Sequence, residues 1–239
     1  MKFVDTERFG RIVEQVRRRL PGVSMHTFFD VGANVGQTVG SMLAHYPEAA
    51  VYAFEPAPES FRKLAESWGE LANVACYQRA LGAEAGTVHF VNQGVAQTNR
   101  VVPKAGKRTT NVELQTGDSV CRELDIEHIS YLKIDTEGHD LNVLRGFPEM
   151  LCRQAIDLIQ VEVGLNPESS TYYTSMEDLK SHLEQAGYRL FHIQKPNYER
   201  EVRDGVKYSA PYLRYCNLIF VSRAVINSNS VPIPPRQPS

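Results

Sequence analysis

Three carboxylates and one imidazole lie within or soon after apolar segments of this 239-residue chain, and each could accept a proton. Asp135 and Glu137 come directly after the apolar run 131–134, and His139 lies two residues further on. Glu162 lies within a later apolar run. Such groups act as general bases when they come within about 3 Å of a hydroxyl, directly or through one water. We therefore predict that these four residues are the catalytic candidates.

Each candidate also has a plainer interpretation. Asp135 could hold a ligand ammonium group, Glu137 could cap the short helix that follows, His139 could be a surface residue, and Glu162 could be hydrogen-bonded to a neighbour. Asp135, Glu137 and Glu162 could also converge on Mg²⁺, which prefers oxygen ligands. We do not favour a metal, because convergence is not visible in the sequence and the histidines lack paired zinc-ligand spacing.

A glycine-containing loop follows the first predicted strand. It begins at Asp30 and contains Gly32 and Gly36, but Asn34 and Gln37 stand where a dinucleotide fingerprint requires small residues. The loop is therefore a poor cradle for a diphosphate, and a nicotinamide-dependent oxidoreductase becomes the alternative interpretation. The negative charge of Asp30 suits a ligand with an ammonium or sulfonium group, such as S-adenosylmethionine.

Glu55 ends the second predicted strand, roughly 20 residues after Gly32. An acidic residue at about that distance beyond a glycine loop can accept both hydroxyls of a ribose. The alternative is that the glycines serve only a tight turn and that Glu55 is a surface acid. The combination of loop, spacing and acid favours a ligand that contains adenosine.

The order of elements explains how these residues could meet. Strands of four to six residues alternate with amphipathic helices, which indicates βαβ units and a parallel sheet covered on both faces. Right-handed crossovers bring the carboxyl ends of the strands to one edge, where ligands bind. We predict an N-terminal helix in residues 1–22, a catalytic domain in 23–224 and a disordered tail in 225–239.

Composition limits the partners. Formal net charge is −2 and 42% of residues are hydrophobic, so nothing favours nucleic acid or an anionic membrane. No apolar stretch reaches the ~20 residues of a spanning helix. The four cysteines show no paired spacing, which predicts buried thiols in a reducing compartment and a cytoplasmic protein. The oligomeric state is not indicated.

The segment between the last two predicted strands, residues 194–217, is rich in tyrosine, arginine and lysine. Long connections inside a compact domain are often functional lids. We predict that this segment, flanked by Tyr172 and Tyr173, binds a polar acceptor such as a sugar or a glycosylated metabolite, which could carry an acidic group. The alternative is a merely solvated loop.

Four motifs in order give the chain a family resemblance. Segments 29–38, 54–56, 80–86 and 132–138 resemble the cofactor loop, second motif, third motif and Lys-Ile-Asp-x-Glu-Gly signature of the FkbM family of S-adenosylmethionine-dependent methyltransferases. The resemblance covers residues 27 to 164, with compatible strands to about 223. The N-terminal helix and the proline-rich tail lie outside it.

The resemblance implies an α/β, class I methyltransferase Rossmann-like fold with a mostly parallel seven-stranded sheet, helices on both faces and an antiparallel last strand. It also implies O-methylation of a hydroxyl, with S-adenosylhomocysteine as the product. A non-catalytic cofactor-binding scaffold is the remaining alternative. The implied cofactor-binding residues lie on the motifs: Asp30, Gly32, Ala33, Asn34, Gly36, Glu55, Pro56, Ala80, Leu81 and Asp135.

Overall fold

The computed structural model describes residues 6–91, 100–102, 106, 109–165, 174–203 and 206–230. The helices are α1 Thr6–Arg19, α2 Gln37–His45, α3 Pro58–Trp68, α4 Gly117–Glu123, α5 Asp140–Arg145, α6 Pro148–Cys152, α7 Met176–Gln185 and α8 Arg223–Asn229. The first strands are β1 Thr27–Val31, β2 Ala50–Phe54, β3 Val74–Tyr77, β4 Ala80–Leu81, β5 Gly86–Val91 and β6 Arg100–Val102. The later strands are β7 Thr109–Gln115, β8 Ile129–Ile134, β9 Ile156–Gly164, β10 Arg189–Arg203 and β11 Val206–Val221.

Seven strands form the central sheet in the order β10-β11-β9-β8-β1-β2-β3. Neighbouring strands from β9 to β3 are parallel, whereas β11 is antiparallel to both β9 and β10. This arrangement confirms the predicted α/β fold, including the antiparallel last strand. It also brings the carboxyl ends of β1, β2, β8 and β9 to a single edge.

A second sheet of four strands, in the order β4-β7-β5-β6, lies beside the first. Strands β5 and β7 are antiparallel, with Val88 opposite Val112. The alternation of apolar and polar residues in the two segments is typical of such strands. Buried side chains of this sheet, Phe90 and Val112, form a small core with Ala57 and Ala80.

Two larger apolar cores cover the two faces of the central sheet. One contains Phe29, Phe54 and Phe147 together with side chains of α5, α6 and α7. The other contains Phe28 and Tyr131 and is covered by α1 and α2. Helix α1 buries an i, i+3/i+4 stripe of side chains, as its periodicity predicts: Phe9, Ile12, Val13 and Val16.

Helix ends follow local sequence signals in most places. Pro58 occupies the first turn of α3, and the Ser175 hydroxyl caps α7 by accepting from the N–H of Asp178 at 3.1 Å. Asp118 lies in the first turn of α4 but does not cap it, because the Thr116 hydroxyl accepts from the N–H of Ser119 there. Asp118 instead accepts from backbone N–H groups at the start of α6.

The predicted tail from residue 225 requires a correction over its first residues, which form most of α8. The Ser222 hydroxyl caps this helix by accepting from the N–H of Val225, and the Val225 side chain is buried. Asn229 Oδ1 also accepts from the N–H of Gly22 at 2.9 Å. Residues 231–239 lie outside the described residues.

Two further expectations change with the structure. The segment between the last two strands is a long antiparallel hairpin, because β10 and β11 continue to pair as far as Arg203 and Val206. Of the four cysteines, which are all free thiols, Cys121 and Cys216 are buried, while Cys152 is exposed.

Within the described ranges, no helix combines the length and the apolar character needed to cross a bilayer.

Asp118 supplies a test of this architecture. Its buried carboxylate accepts from the N–H of Glu149 at 2.7 Å and of Met150 at 3.2 Å. Asp118→Ala leaves both donors without this partner and should lower the free energy of unfolding by about 1–3 kcal/mol in urea titrations. Asp178→Ala, which removes an exposed carboxylate from the first turn of α7, is the matched control. Equal losses of unfolding free energy in the two variants would contradict the stabilising role of the two hydrogen bonds to Asp118.

Candidate functional site

A cavity of about 510 Å³ opens at the edge where the parallel strands end. This volume lies within the ~300–1,000 Å³ typical of small-molecule pockets. Loops after β1, β2 and β8 form one side, β9 and β11 form another, and Phe9 and Ile12 of α1 also line it. Most of the predicted site residues line the cavity: Gly32, Ala33, Asn34, Glu55, Pro56, Ala80, Leu81, Asp135, Glu137, His139 and Glu162.

The loop after β1 needs glycine at two positions. Gly32 has a φ of +80°, and a Cβ there would overlap the backbone oxygen of Asp135. Gly36 has a φ of +86°, and a Cβ there would overlap the indole of Trp68. Residues other than glycine rarely adopt such positive φ angles. Gly36 does not line the cavity, so its role is to shape the start of α2 rather than to contact a ligand.

Glu55 joins the loops that follow β1 and β2. Its Oε2 accepts from the N–H of Asn34 at 2.9 Å, and its Oε1 accepts from the N–H of Ala57 at 2.8 Å. Only 6% of Glu55 is exposed, and this burial raises the pKa of its carboxyl to about 7. The alternative of a surface acid is therefore wrong, and the carboxyl faces the cavity.

Three charges lie at the floor of the site. The Lys133 ammonium is 3.1 Å from Asp30 Oδ1 and 3.5 Å from Asp135 Oδ2. Burial alone would lower the pKa of Lys133, but the two carboxylates hold it above its usual range. Lys133 and Asp30 are both buried, whereas Asp135 is partly exposed to the cavity.

Asp30 does not line the cavity, so the prediction that it contacts a ligand is revised. Its side chain is fully buried beneath Lys133, and its charge acts on the site through that ammonium. The sequence did not single out Lys133 as a site residue. The signal was a charged residue inside an otherwise apolar strand, where an unpaired charge would be costly.

Asp140 shapes the loop that carries Asp135 and Glu137. Its carboxylate accepts from the N–H of Thr136 at 3.3 Å and of Gly138 at 3.2 Å. Complete burial raises the pKa of Asp140 to about 6. Asp140 therefore holds the backbone of the loop that precedes α5. Its position in the first turn of α5 was the available sequence signal.

His139 lines the cavity, but its ring is held by Asn142. Arg145 donates to Asn142 Oδ1 at 3.5 Å, which directs the Asn142 amide nitrogen to His139 Nδ1 at 3.2 Å. In this arrangement Nδ1 accepts and Nε2 carries the proton. Burial lowers the pKa of His139, so the ring is neutral near pH 7. In the described part of the chain Nε2 is buried next to Gly82 and has no hydrogen-bond partner, so neither ring nitrogen is placed to take a proton from a ligand and His139 is not favoured as the general base.

The wall formed by β9 and β11 contains polar side chains among apolar ones. Tyr131 donates to Gln160 Oε1 at 2.6 Å, and Gln160 Nε2 donates to Asn217 Oδ1 at 2.7 Å. Glu162 lies opposite Asn217 across the two strands. Gln160, Glu162 and Asn217 are buried and line the cavity. Glu162 was identified from sequence as a candidate base and Asn217 ends the predicted acceptor segment 194–217, whereas Gln160 was not identified, although all three interrupt apolar runs.

The base of the β10–β11 hairpin also contributes to this wall. Gln194, Arg214 and Tyr215 line the cavity, and Asn197 Nδ2 donates to the Tyr215 hydroxyl at 2.8 Å. Further along the hairpin the tyrosines are exposed: Tyr198, Tyr208 and Tyr212. Among the described side chains of the predicted acceptor segment, those that line the cavity lie near its two ends. Tyr172 and Tyr173, predicted to flank it, lie outside the described residues.

The described part of the chain contains no group of three or more histidine, cysteine or acidic side chains that could hold a metal ion. Asp135, Glu137 and Glu162 all line the cavity but do not form such a group. We therefore derive no step that depends on Mg²⁺.

Comparison with known proteins gives matches that overlap this site. The family model described as "Methyltransferase FkbM domain" matches residues 30–190. The "Hexuronic acid methyltransferase AglP" of Haloferax volcanii is 25% identical over 156 residues, 65% of this chain and 64% of that protein. "Methyltransferase sdnD" of Sordaria araneosa is 32% identical over 154 residues, which cover 50% of this chain and 60% of that protein.

The matched segments span about three fifths of the length of these two relatives. Among solved structures, M. capricolum TrmK in complex with S-adenosyl-homocysteine aligns with 12% identity and a TM-score of 0.45. The alignment covers 89% of this chain and 68% of that chain. The strand order, rather than this distant likeness, establishes the fold.

The pKa of Glu55 gives a pH prediction. Folding raises this pKa from 4.5 to about 7, so the folded state binds the proton more tightly. The contribution of Glu55 to stability is therefore intact below pH 4.5 and is lost as the pH rises to 7. The loss amounts to about 3 kcal/mol at most. In Glu55→Gln, unfolding free energy should fall less than in the wild type between pH 5 and pH 8.

Urea titrations at several pH values would measure this difference. Asp140 also has a raised pKa, so only the comparison of Glu55→Gln with the wild type isolates Glu55. Parallel pH profiles for the two proteins would contradict the assigned pKa.

Proposed function

The chain belongs to the FkbM methyltransferase family, and we propose that it transfers a methyl group from S-adenosylmethionine to a hydroxyl of a sugar or glycosylated metabolite. The proposal rests on the cavity described above, whose two sides consist of different kinds of residues. One side is the glycine loop with Glu55, and the other is the polar wall of β9 and β11.

The residues on the first side fit an adenosine-containing, positively charged ligand. Gly32 lets the loop pack closely against the backbone of Asp135, and both residues line the cavity. Glu55 would accept from the ribose hydroxyls, because each carboxylate oxygen has a second lone pair beyond its backbone N–H bond. Asp135 would hold the ammonium group, and Ala80 and Leu81 provide apolar surface.

When bound, S-adenosylmethionine supplies a methyl group on a sulfonium, and the S–C electron pair stays on sulfur in S-adenosylhomocysteine as the methyl carbon bonds to the acceptor oxygen. The tasks left to the protein are to align the acceptor oxygen and to remove its proton.

Among the candidate bases, Glu162 is the one on the acceptor side. Asp135 is in contact with Lys133 next to the glycine loop, and its carboxylate is thus assigned to the methyl donor. Glu162 lies on β9, one strand further away, and faces Asn217 of β11. In our proposal the hydroxyl proton passes to the Glu162 carboxylate as the new O–C bond forms.

A sugar acceptor is supported by the polarity of the wall and by one relative. Gln160, Glu162, Gln194, Arg214 and Asn217 supply donors and acceptors for several hydroxyls. The Haloferax volcanii relative is called a hexuronic acid methyltransferase. Arg214 would suit the carboxylate of such an acidic sugar, because guanidinium groups bind carboxylates in a bidentate manner.

Calorimetry with S-adenosylhomocysteine and NAD tests the cofactor. We expect S-adenosylhomocysteine to bind with a nanomolar to micromolar Kd and NAD not to bind. Glu55→Ala should weaken S-adenosylhomocysteine binding by about 1–3 kcal/mol, because it removes the ribose acceptor. A preference for NAD, or unchanged affinity in folded Glu55→Ala, would contradict the assignment.

Transfer of a labelled methyl group tests the base. In Glu162→Gln we expect kcat to fall about 10²–10⁴-fold, with S-adenosylhomocysteine binding retained. Asp135→Asn and Glu137→Gln are measured alongside, and Glu127→Gln, which changes an exposed carboxylate before β8, is the control. A larger loss of kcat in Glu137→Gln than in Glu162→Gln would transfer the role to Glu137.

A further inference from the structure

Tyr131, Gln160 and Asn217 form a chain of hydrogen bonds at the polar wall of β9 and β11, which we call the acceptor wall. Each bond in this chain has a fixed donor and a fixed acceptor. Tyr131 is fully buried, and burial raises the pKa of its phenol well above the usual value. Its hydroxyl therefore stays protonated and donates to Gln160 Oε1 at 2.6 Å. This bond directs the amide nitrogen of Gln160 toward Asn217 Oδ1 at 2.7 Å. The amide nitrogen of Asn217 is thereby turned away from Gln160.

A donor and an acceptor are side by side where this chain ends. Asn217 is the direct cross-strand partner of Glu162, and both side chains line the cavity. Directly opposed residues have Cβ atoms about 5 Å apart. An amide N–H and a carboxylate at that spacing match two oxygens on adjacent carbon atoms, one that accepts a hydrogen bond and one that donates it.

Burying the hydrogen-bonded side chains of Tyr131, Gln160 and Asn217 costs free energy, which indicates that they have a function. Polar side chains in a sheet interior must each be hydrogen-bonded, and apolar residues of similar size would pack there without that requirement. The strands around the chain are otherwise apolar, with Leu158, Val161 and Ile219 all buried. Asn217 also lies beyond the segment matched by the family model, which ends at residue 190.

We propose that Asn217 and Glu162 together recognise a pair of neighbouring oxygens on the acceptor. Asn217 donates to the oxygen adjacent to the reacting hydroxyl, and Glu162 accepts from the reacting hydroxyl itself. Gln160 and Tyr131 are positioning residues that fix the direction of the Asn217 amide. This inference rests on the proposed function and narrows its substrates to sugars whose methylated hydroxyl has an oxygen on the next carbon.

Binding of sugar probes to protein saturated with S-adenosylhomocysteine tests the proposal. The probes are p-nitrophenyl glycosides of the gluco, galacto and manno series and the corresponding uronides, with p-nitrophenol as the reference. We expect the best glycoside to bind at least tenfold more weakly to Asn217→Ala and three- to tenfold more weakly to Tyr131→Phe. The Kd for S-adenosylhomocysteine should stay within twofold in both variants.

Tyr188→Phe is the matched control, because Tyr188 is also fully buried but packs in the core on the other face of the sheet. It should bind the glycoside as the wild type does. Thermal unfolding checks that each variant is folded. Tyr131→Phe keeps the ring and removes only the hydroxyl, so it serves as the test if Asn217→Ala does not fold.

Monodeoxy versions of the best glycoside test the two-oxygen requirement. Removing the hydroxyl next to the methylated position should weaken binding to the wild type and leave binding to Asn217→Ala unchanged. The proposal is overturned if no glycoside binds better than p-nitrophenol, or if Asn217→Ala and Tyr131→Phe bind it as the wild type does. A wild type that binds no S-adenosylhomocysteine and transfers no label would instead refute the proposed function.

Discussion

Lys133 is buried with its ammonium group between the carboxylates of Asp30 and Asp135. Moving such charges out of water costs several kcal/mol per ion, and only close pairing offsets that cost. Asp30 and Lys133 are register partners on β1 and β8, so the pairing holds only when these central strands are correctly aligned. The same alignment brings the glycine loop of β1 against the loop after β8. The geometry of the cavity therefore depends on this group of three charges.

The three charges sum to −1, and the one partly exposed member is the carboxylate of Asp135. A cation in the cavity would compensate that charge, whereas a diphosphate would be repelled by it. The same sheet face continues with polar groups, from Lys133 to its register partner Gln160 and on to Asn217, which lies opposite Glu162. Charged and hydrogen-bonding side chains thus extend along the floor from the glycine loop to β11.

Sequence patterns predicted the parallel sheet, the glycine loop and the place of Glu55, because each depends on short-range signals, whereas the reversed last strand was implied by the family resemblance. Periodicity indicates the element, and spacing along βαβ units indicates which loops share an edge. Lys133 and Gln160 were not predicted, and Asn217 was predicted only as the end of the acceptor segment, since their importance comes from partners more than 50 residues away in sequence or on neighbouring strands. Asp30 was predicted as a ligand contact, but its depth beneath Lys133 depends on the packing of the whole sheet. The hairpin of β10 and β11 was interpreted as a loop because its polar composition obscured the alternation of strands.

The reversal of β11 places the stretch 214–217 at the edge where the parallel strands end. The acceptor wall therefore belongs partly to a hairpin that joins the sheet beside β9, while the glycine loop and Glu55 belong to β1 and β2 on the other side of β8. A hairpin can lengthen, shorten or exchange side chains without disturbing the register of the central strands. In the proposed arrangement, evolution can adapt the enzyme to new acceptors by remodelling this hairpin while the proposed methyl-donor side of the cavity stays unchanged.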